Sequence, residues 1–187
     1  MAATQSNMLP LGTAAPDFNL PDSVSGKNFS LRELKGERGT IIMFICNHCP
    51  YVQHVKQQLI AIANQYAPLG ISSIAISAND IANYPRDAPD KMQQLMAEWG
   101  YPFSAYLYDE SQDIAKAYQA ACTPDFYLFD AALSCVYRGR LDGATPNNAV
   151  PVTGDELRNA LDNLLAGRPI SMEQIPSIGC NIKWKTE

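Results

Sequence analysis

One run of the chain, GTIIMFICNHCPYVQHV at residues 39–55, restricts the possible folds more than any other. Its first half is continuously apolar rather than alternating, which is the pattern of a strand buried on both faces. Its second half opens with Cys46-Asn47-His48-Cys49-Pro50. Val52, Val55, Leu59, Ile62 and Tyr66 then recur at helical spacing, the apolar stripe of an amphipathic helix. A strand buried on both faces needs covering layers on both sides of its sheet. A strand that runs straight into a helix is the first half of a parallel crossover unit.

The rest of the chain keeps this alternation. Residues 9–35 read as an extended segment and a short hairpin, with two alternating runs around the turn-rich PDSVSGK. GISSIAIS is a second core strand. A helix follows near Pro89–Trp99, with Met92, Leu95, Met96 and Trp99 on one side and Gly100 closing it. FSAYLYD is a third strand and SQDIAKAYQ a short helix, and DFYLFD and SCVYRGR pair antiparallel through the turn DAAL. In the last helix, Thr153 and Glu156 have capping-box spacing. Leu157, Ala160, Leu161, Leu164 and Leu165 form its buried stripe, and Gly167 follows its end. Residues 168–187, RPISMEQIPSIGCNIKWKTE, read as an irregular tail. The expectation is an α/β fold in a single domain spanning residues 1–187. A central mixed sheet is flanked by helices, with an N-terminal hairpin extension and a C-terminal tail.

Composition narrows the setting. The 187 residues suffice for one sizeable core. A content of 47% hydrophobic and 18% charged residues is that of a globular protein rather than a disordered one. The net charge of −5 argues against nucleic acid and anionic membrane surfaces as partners. No stretch approaches the roughly 18 apolar residues of a membrane span. The opening MAATQSNMLPLG lacks a basic segment followed by an apolar one, so no secretory signal is read and a cytoplasmic setting is expected. Five cysteines are too few for a disulfide-built scaffold, and the odd count leaves at least one thiol free.

Cys46 closes the first core strand, and Cys49 lies in or just before the first turn of the next helix. Residues three apart on a helix have Cβ atoms about 5–6 Å apart, and a disulfide needs about 3.5–4.5 Å, so a small adjustment closes the ring. A helix start offers unpaired N–H groups and the positive end of the dipole, and both favour a thiolate. A cysteine with pKa near 8.5 is only about 3% ionised at neutral pH, whereas one near 7 is about half ionised. His48, when protonated, pushes the same way. Pro50 suits the first helical position, which starts the regular ladder near Cys49 and leaves Cys46 accessible on the turn. Cys46 is then the nucleophile and Cys49 its resolving partner. Two other readings of the pair are core packing and a metal site. Zinc would want two further ligands. The only histidines are His48 and His54, and His54 lies roughly 12 Å further along the helix. No metal and no bound cofactor is expected.

The strand–Cys-x-x-Cys–helix order, followed by Thr123-Pro124 ahead of an antiparallel strand pair, resembles the thioredoxin superfamily. The stretches GTAAPDFNLPDSVSGKNFSLRELKG and DIAKAYQAACTPDFYLFDAALSCVYRGRLDG are similar to its redoxin branch. With CNHCP and GCNIKWK, the whole chain looks most like peroxiredoxin-like proteins grouped with the alkyl hydroperoxide reductases and thiol-specific antioxidant proteins. The resemblance implies a thioredoxin fold. It also implies a cis-proline at Pro124 lying against the reactive sulfur, and Thr123 pairing with substrate backbone. His48 matches the histidine that disulfide isomerases carry before their second cysteine, where it favours the reduced form. Peroxiredoxins carry a proline and a Thr or Ser where this chain has Gly39 and Met43, and Arg138 is the better match to their arginine, with Arg140 the other.

Together these readings point to a thiol–disulfide oxidoreductase. Its partners would be protein or small-molecule disulfides, or peroxides, and a thiol electron donor. A thiol peroxidase with Cys46 as the attacking sulfur is the alternative, and a copper or zinc carrier is a third reading. Cys122, which precedes Thr123-Pro124, is either packing or a third redox thiol near Cys46. Cys180 is either an incidental tail thiol or one that folds back to the site. Cys135 is assigned to the core.

Overall fold

The apolar run at residues 39–44 becomes the middle strand of a five-stranded sheet. The structure is a computed structural model and describes residues 3–186. In chain order its elements are β1 (Ala3–Gln5), β2 (Asn19–Pro21), β3 (Asn28–Ser30), α1 (Leu31–Leu34), β4 (Gly39–Phe44), α2 (Pro50–Tyr66) and β5 (Ile71–Ser77). There follow α3 (Pro89–Glu98), β6 (Ala105–Tyr108), α4 (Asp113–Ala117), β7 (Cys122–Thr123), β8 (Asp125–Asp130), β9 (Cys135–Tyr137), α5 (Asp155–Leu165) and β10 (Ile178–Asn181).

The main sheet runs β6-β5-β4-β8-β9. β4 is parallel to β5 and antiparallel to β8, and β5 is parallel to β6, so the sheet is mixed as the strand order implies. All six residues of β4 are buried. Successive side chains of a strand point to opposite faces, and β4 divides accordingly. Ile41 and Met43 pack with Val52, Leu59 and Ile62 of α2, Met92 and Met96 of α3, and Leu157 and Leu161 of α5. Ile42 and Phe44 pack on the other face with Phe18, Leu20, Leu31, Tyr118, Tyr127 and Phe129. Truncating a residue such as Ile42 or Leu59 to Ala would cost about 2–5 kcal/mol through lost burial and the cavity left behind.

The hairpin expected near the N-terminus is β2 paired with β3. Two expectations need correction. The capping box at Thr153 and Glu156 does not form. Gly154 caps α5 with a φ of 69°, a left-handed conformation that glycine adopts without penalty. The carboxylate of Asp142 accepts the N–H groups of Thr153 and Gly154 at 2.8 and 2.6 Å, and Glu156 turns to Arg140 instead. A remote acceptor has taken over the local cap. The capping box that does form joins Ser30 and Glu33 at the start of α1.

The second correction concerns residues 168–187, expected to be irregular throughout. They contain β10, the middle strand of a small second sheet in the order β1-β10-β7. Cys180 stands opposite Ala3 on one side and Thr123 on the other. Beyond β10 the chain stays fastened. Ile182 donates to Ala121 O at 3.1 Å, and Asp80 donates to Lys183 O at 2.8 Å. Lys183 N donates to Asn79 Oδ1 at 2.8 Å.

Candidate active site

The site forms where β4 gives way to α2. β4 ends at Phe44, and Ile45 N still donates to Ile76 O at 3.0 Å. The chain then turns through Cys46–His48 into the helix. Cys49 is the N-cap residue with extended backbone, and Pro50 takes the first helical position, as its missing N–H predicts. Gln53 secures the turn, donating from its backbone to Cys49 O and from its side chain to Asn47 O at 2.8 Å.

Across from the turn lies the Thr123-Pro124 peptide, which is cis. The Cys46 sulfur lies 3.5 Å from the Thr123 hydroxyl, and the Cys49 sulfur lies 3.2 Å from Thr123 O. The Cys49 sulfur is also 2.9 Å from that of Cys180, which β10 carries to the site from the far end of the chain. The structure therefore groups Cys46, Cys49, Thr123, Pro124 and Cys180. It also shows that the backbone edge of Thr123 is already paired with the chain's own β10.

Cys46 was expected to be accessible. It is 1% exposed, with the Thr123 hydroxyl 3.5 Å from its sulfur and the buried Asp87 carboxylate within 4.8 Å. Its thiol is also not the acidic one. Its pKa is held well above the usual thiol range, first because it donates a hydrogen bond to Cys49, then through burial and the negative charge of Asp87. Cys49 is pulled far below that range by hydrogen bonds from Cys180 and Cys46, against the opposing effect of burial. The N-cap position of Cys49, at the positive end of a 17-residue helix, favours its anion as well. Cys180 is raised, chiefly as the donor to Cys49, and Lys183 partly offsets that rise. Ionisation in this row of sulfurs is easiest at the central one.

Asp87 carries no sequence signature. It sits at the end of a 3₁₀ turn, Pro85–Asp87, and is completely buried. One carboxylate oxygen accepts the N–H of Asn47 at 2.8 Å and, more weakly, that of His48 at 3.3 Å. The other is 2.8 Å from the Asn79 amide nitrogen and 2.7 Å from His48 Nδ1. Tyr84 stacks on the His48 ring, and Tyr106 donates its hydroxyl to Asn47 Oδ1 at 3.0 Å. Asp87 thus holds the Cys-x-x-Cys turn by backbone and by side chain. Donor atoms of Cys46, His48 and Asp87 all lie within 4.8 Å of one another. Two of them, on His48 and Asp87, are already engaged with each other.

The remaining residues singled out by sequence lie apart from this row. Cys122 is fully buried, its thiol 3.7 Å from Pro124 O and pushed upward by burial. Cys135 packs in the core and is pushed up to about 11 by burial. Arg138 is buried against Asp125, with Nη2 to Oδ2 at 3.0 Å and a further bond to Phe126 O at 3.1 Å. Its guanidinium lies 4.0 Å from the centre of the Tyr127 ring. Among the described residues none of its hydrogen bonds goes to Cys46 or Cys49. A cleft bordered by Tyr51, Val55, Pro124, Phe126 and Leu141 opens beside the cis-proline. Among the described residues no helix is long and apolar enough to cross a membrane.

Comparison with known proteins agrees with this architecture. A crystal structure of an uncharacterized conserved protein from Geobacillus kaustophilus is 55% identical, covers 100% of this chain and 98% of its own, and superposes with a TM-score of 0.97. One of a hypothetical protein from Sinorhizobium meliloti 1021 is 44% identical over 98% of this chain and 100% of its own, with a TM-score of 0.94. The thioredoxin domain of a thiol-disulfide oxidoreductase from Bacteroides vulgatus is 18% identical, covers 84% of this chain and 99% of its own, and has a TM-score of 0.64, a likeness of fold. No match was found among curated proteins. The model of the AhpC/TSA family matches residues 11–137, and the chain, a thioredoxin-fold protein of the redoxin branch, belongs to that family.

Proposed function

We propose that the protein is a thiol–disulfide oxidoreductase whose working couple is Cys46 and Cys49. The observation that carries this reading is the placement of both sulfurs against Thr123 where the chain enters α2, Cys46 at 3.5 Å from its hydroxyl and Cys49 at 3.2 Å from its carbonyl oxygen, beside the cis Thr123-Pro124 peptide. The Cys46 sulfur attacks one sulfur of a substrate disulfide. A mixed disulfide forms, and the other substrate sulfur leaves as a thiolate. Cys49, whose anion the site favours, then attacks the Cys46 sulfur, and the Cys46–Cys49 disulfide forms as the second substrate thiolate leaves. Two electrons pass from the dithiol to the substrate, and a thiol donor restores the pair by the reverse exchange. The Cys46 proton passes to Cys49 as Cys46 attacks, and the first substrate thiolate takes that proton as it leaves, so Cys49 is again an anion when it attacks in turn. Thr123 and Pro124 wall the substrate side, and His48 with Asp87 sets the charge beside Cys46.

The test is trapping. Cys49→Ser should accumulate a mixed disulfide on Cys46 when given a small disulfide, whereas the wild type should pass through it to the intramolecular bond. Mass spectrometry after acid quenching distinguishes the two. A variant that accumulates no adduct on Cys46 rules the assignment out.

Membership of the AhpC/TSA family supports a second reading, peroxide reduction. In it the Cys46 thiolate displaces an alcohol or water from the peroxide and becomes a sulfenic acid. Cys49 condenses with it, releasing water.

A further inference from the structure

We propose that Cys180 is a second resolving thiol, which exchanges with the Cys46–Cys49 disulfide to move the bond to Cys49–Cys180. This rests on the reading of Cys46 and Cys49 as the redox couple and adds a step after it. The Cys49 and Cys180 sulfurs are 2.9 Å apart, so a shift of about 0.9 Å would bring them to bonding distance.

The approach is built into the strand that carries Cys180. β10 lies so close to the cis-proline loop that a Cβ at residue 179 would fall 2.0 Å from Thr123 O. Only glycine permits that spacing, and Gly179 occupies the position. Register then sets Cys180 opposite Thr123, whose carbonyl oxygen is 3.2 Å from the Cys49 sulfur. Cys180 is buried and its segment is fastened on the far side by Ile182 and Lys183. In the two-cysteine mechanism its sulfur forms no covalent bond.

The step balances without an added oxidant. The Cys180 sulfur, as thiolate, attacks Cys49 of the Cys46–Cys49 disulfide. The Cys49–Cys180 bond forms and the Cys46–Cys49 bond breaks. Cys46 leaves as a thiolate and takes up the proton that Cys180 has lost. The first oxidation also prepares this attack. The main restraint on ionising Cys180 is its hydrogen bond to the Cys49 anion, and that anion is gone once Cys49 is in a disulfide. Burial still opposes ionisation and Lys183 favours it. The exchange returns Cys46 to the thiol state while the oxidising equivalent sits on the C-terminal strand.

Disulfide mapping tests this. Reduced protein is oxidised with one equivalent of diamide, quenched in acid and digested for mass spectrometry. The wild type should yield Cys49–Cys180 peptides alongside Cys46–Cys49. Cys46→Ser should yield Cys49–Cys180 within one chain, and Cys180→Ser should yield only Cys46–Cys49. Wild-type protein giving Cys46–Cys49 alone overturns the proposal, and that measurement needs no variant to fold. Failure of Cys180→Ser to form Cys46–Cys49, with Cys49–Cys180 present in Cys46→Ser, would instead overturn the two-cysteine reading and leave the second bond standing.

Discussion

His48 Nδ1 lies 2.7 Å from a carboxylate oxygen of Asp87, which is fully buried, so the imidazole beside the cysteine pair is held by a negative charge that also faces Cys46. The two act on the sulfurs with opposite sign. Asp87 opposes the thiolate and so favours the disulfide, and a protonated His48 offsets it.

His48→Ala removes the imidazole from that carboxylate, which keeps its Asn47 and Asn79 donors, and should make the couple less oxidising. Asp87→Asn removes the charge and should make it more oxidising. Each shift should be tens of millivolts, since about 30 mV corresponds to 1.4 kcal/mol for two electrons. Equilibration against glutathione measures both. Shifts of the same sign would contradict the pairing.

The pH dependence of stability should show which sulfur holds the charge. Cys49 is depressed in the fold, so between its low folded pKa and about 8.5, the value of a free thiol, the unfolded chain binds more protons and stability rises with pH. Cys46 and Cys180 are raised, so above about 8.5 the fold retains protons that the unfolded chain releases, and stability falls. Urea denaturation of the reduced protein should show the rising limb, and Cys49→Ser should lose it. Identical profiles would place the anion elsewhere.

Peroxide chemistry should be slow. The peroxiredoxin-type positions 39 and 43 hold Gly and Met, Cys46 is buried with a raised pKa, and Arg138 is committed to Asp125. Transition-state donors are each worth about 2.7–4 kcal/mol, and here none is aimed at the sulfur by a side chain at those positions. Stopped-flow measurement should give a rate near that of an ordinary thiolate. Arg138→Met should leave that rate unchanged while destabilising the fold by about 3–5 kcal/mol through the unpaired Asp125. A fast, Arg138-dependent reaction would favour the peroxidase reading.

Gly179→Ala should separate Cys180 from Cys49. The added methyl group would meet Thr123 O and push β10 outward, at a cost of about 1–3 kcal/mol. Diamide oxidation of this variant should yield Cys46–Cys49 and little Cys49–Cys180. An unchanged bond distribution would show that the close approach does not depend on glycine.

What the sequence alone determined is what short-range rules can read. The apolar run 39–44 is a strand buried on both faces, Pro50 opens the helix, and Cys46 and Cys49 bracket the turn that leads into it. Each follows from periodicity or from proline's missing N–H within a few residues. Tertiary structure decided which other groups reach those sulfurs, and with what effect. Asp87 arrives from 40 residues beyond Asn47, and Cys180 from 131 residues beyond Cys49. β10 has only four residues and no periodic pattern of its own; it is a strand because β1 and β7 pair with it and Gly179 lets it approach. The charge on a sulfur depends on burial and on donors a few ångströms away in space, whatever their distance along the chain. For that reason Cys46, read from the sequence as the accessible nucleophile, lies buried with a raised pKa, while the assembled site favours ionisation at Cys49.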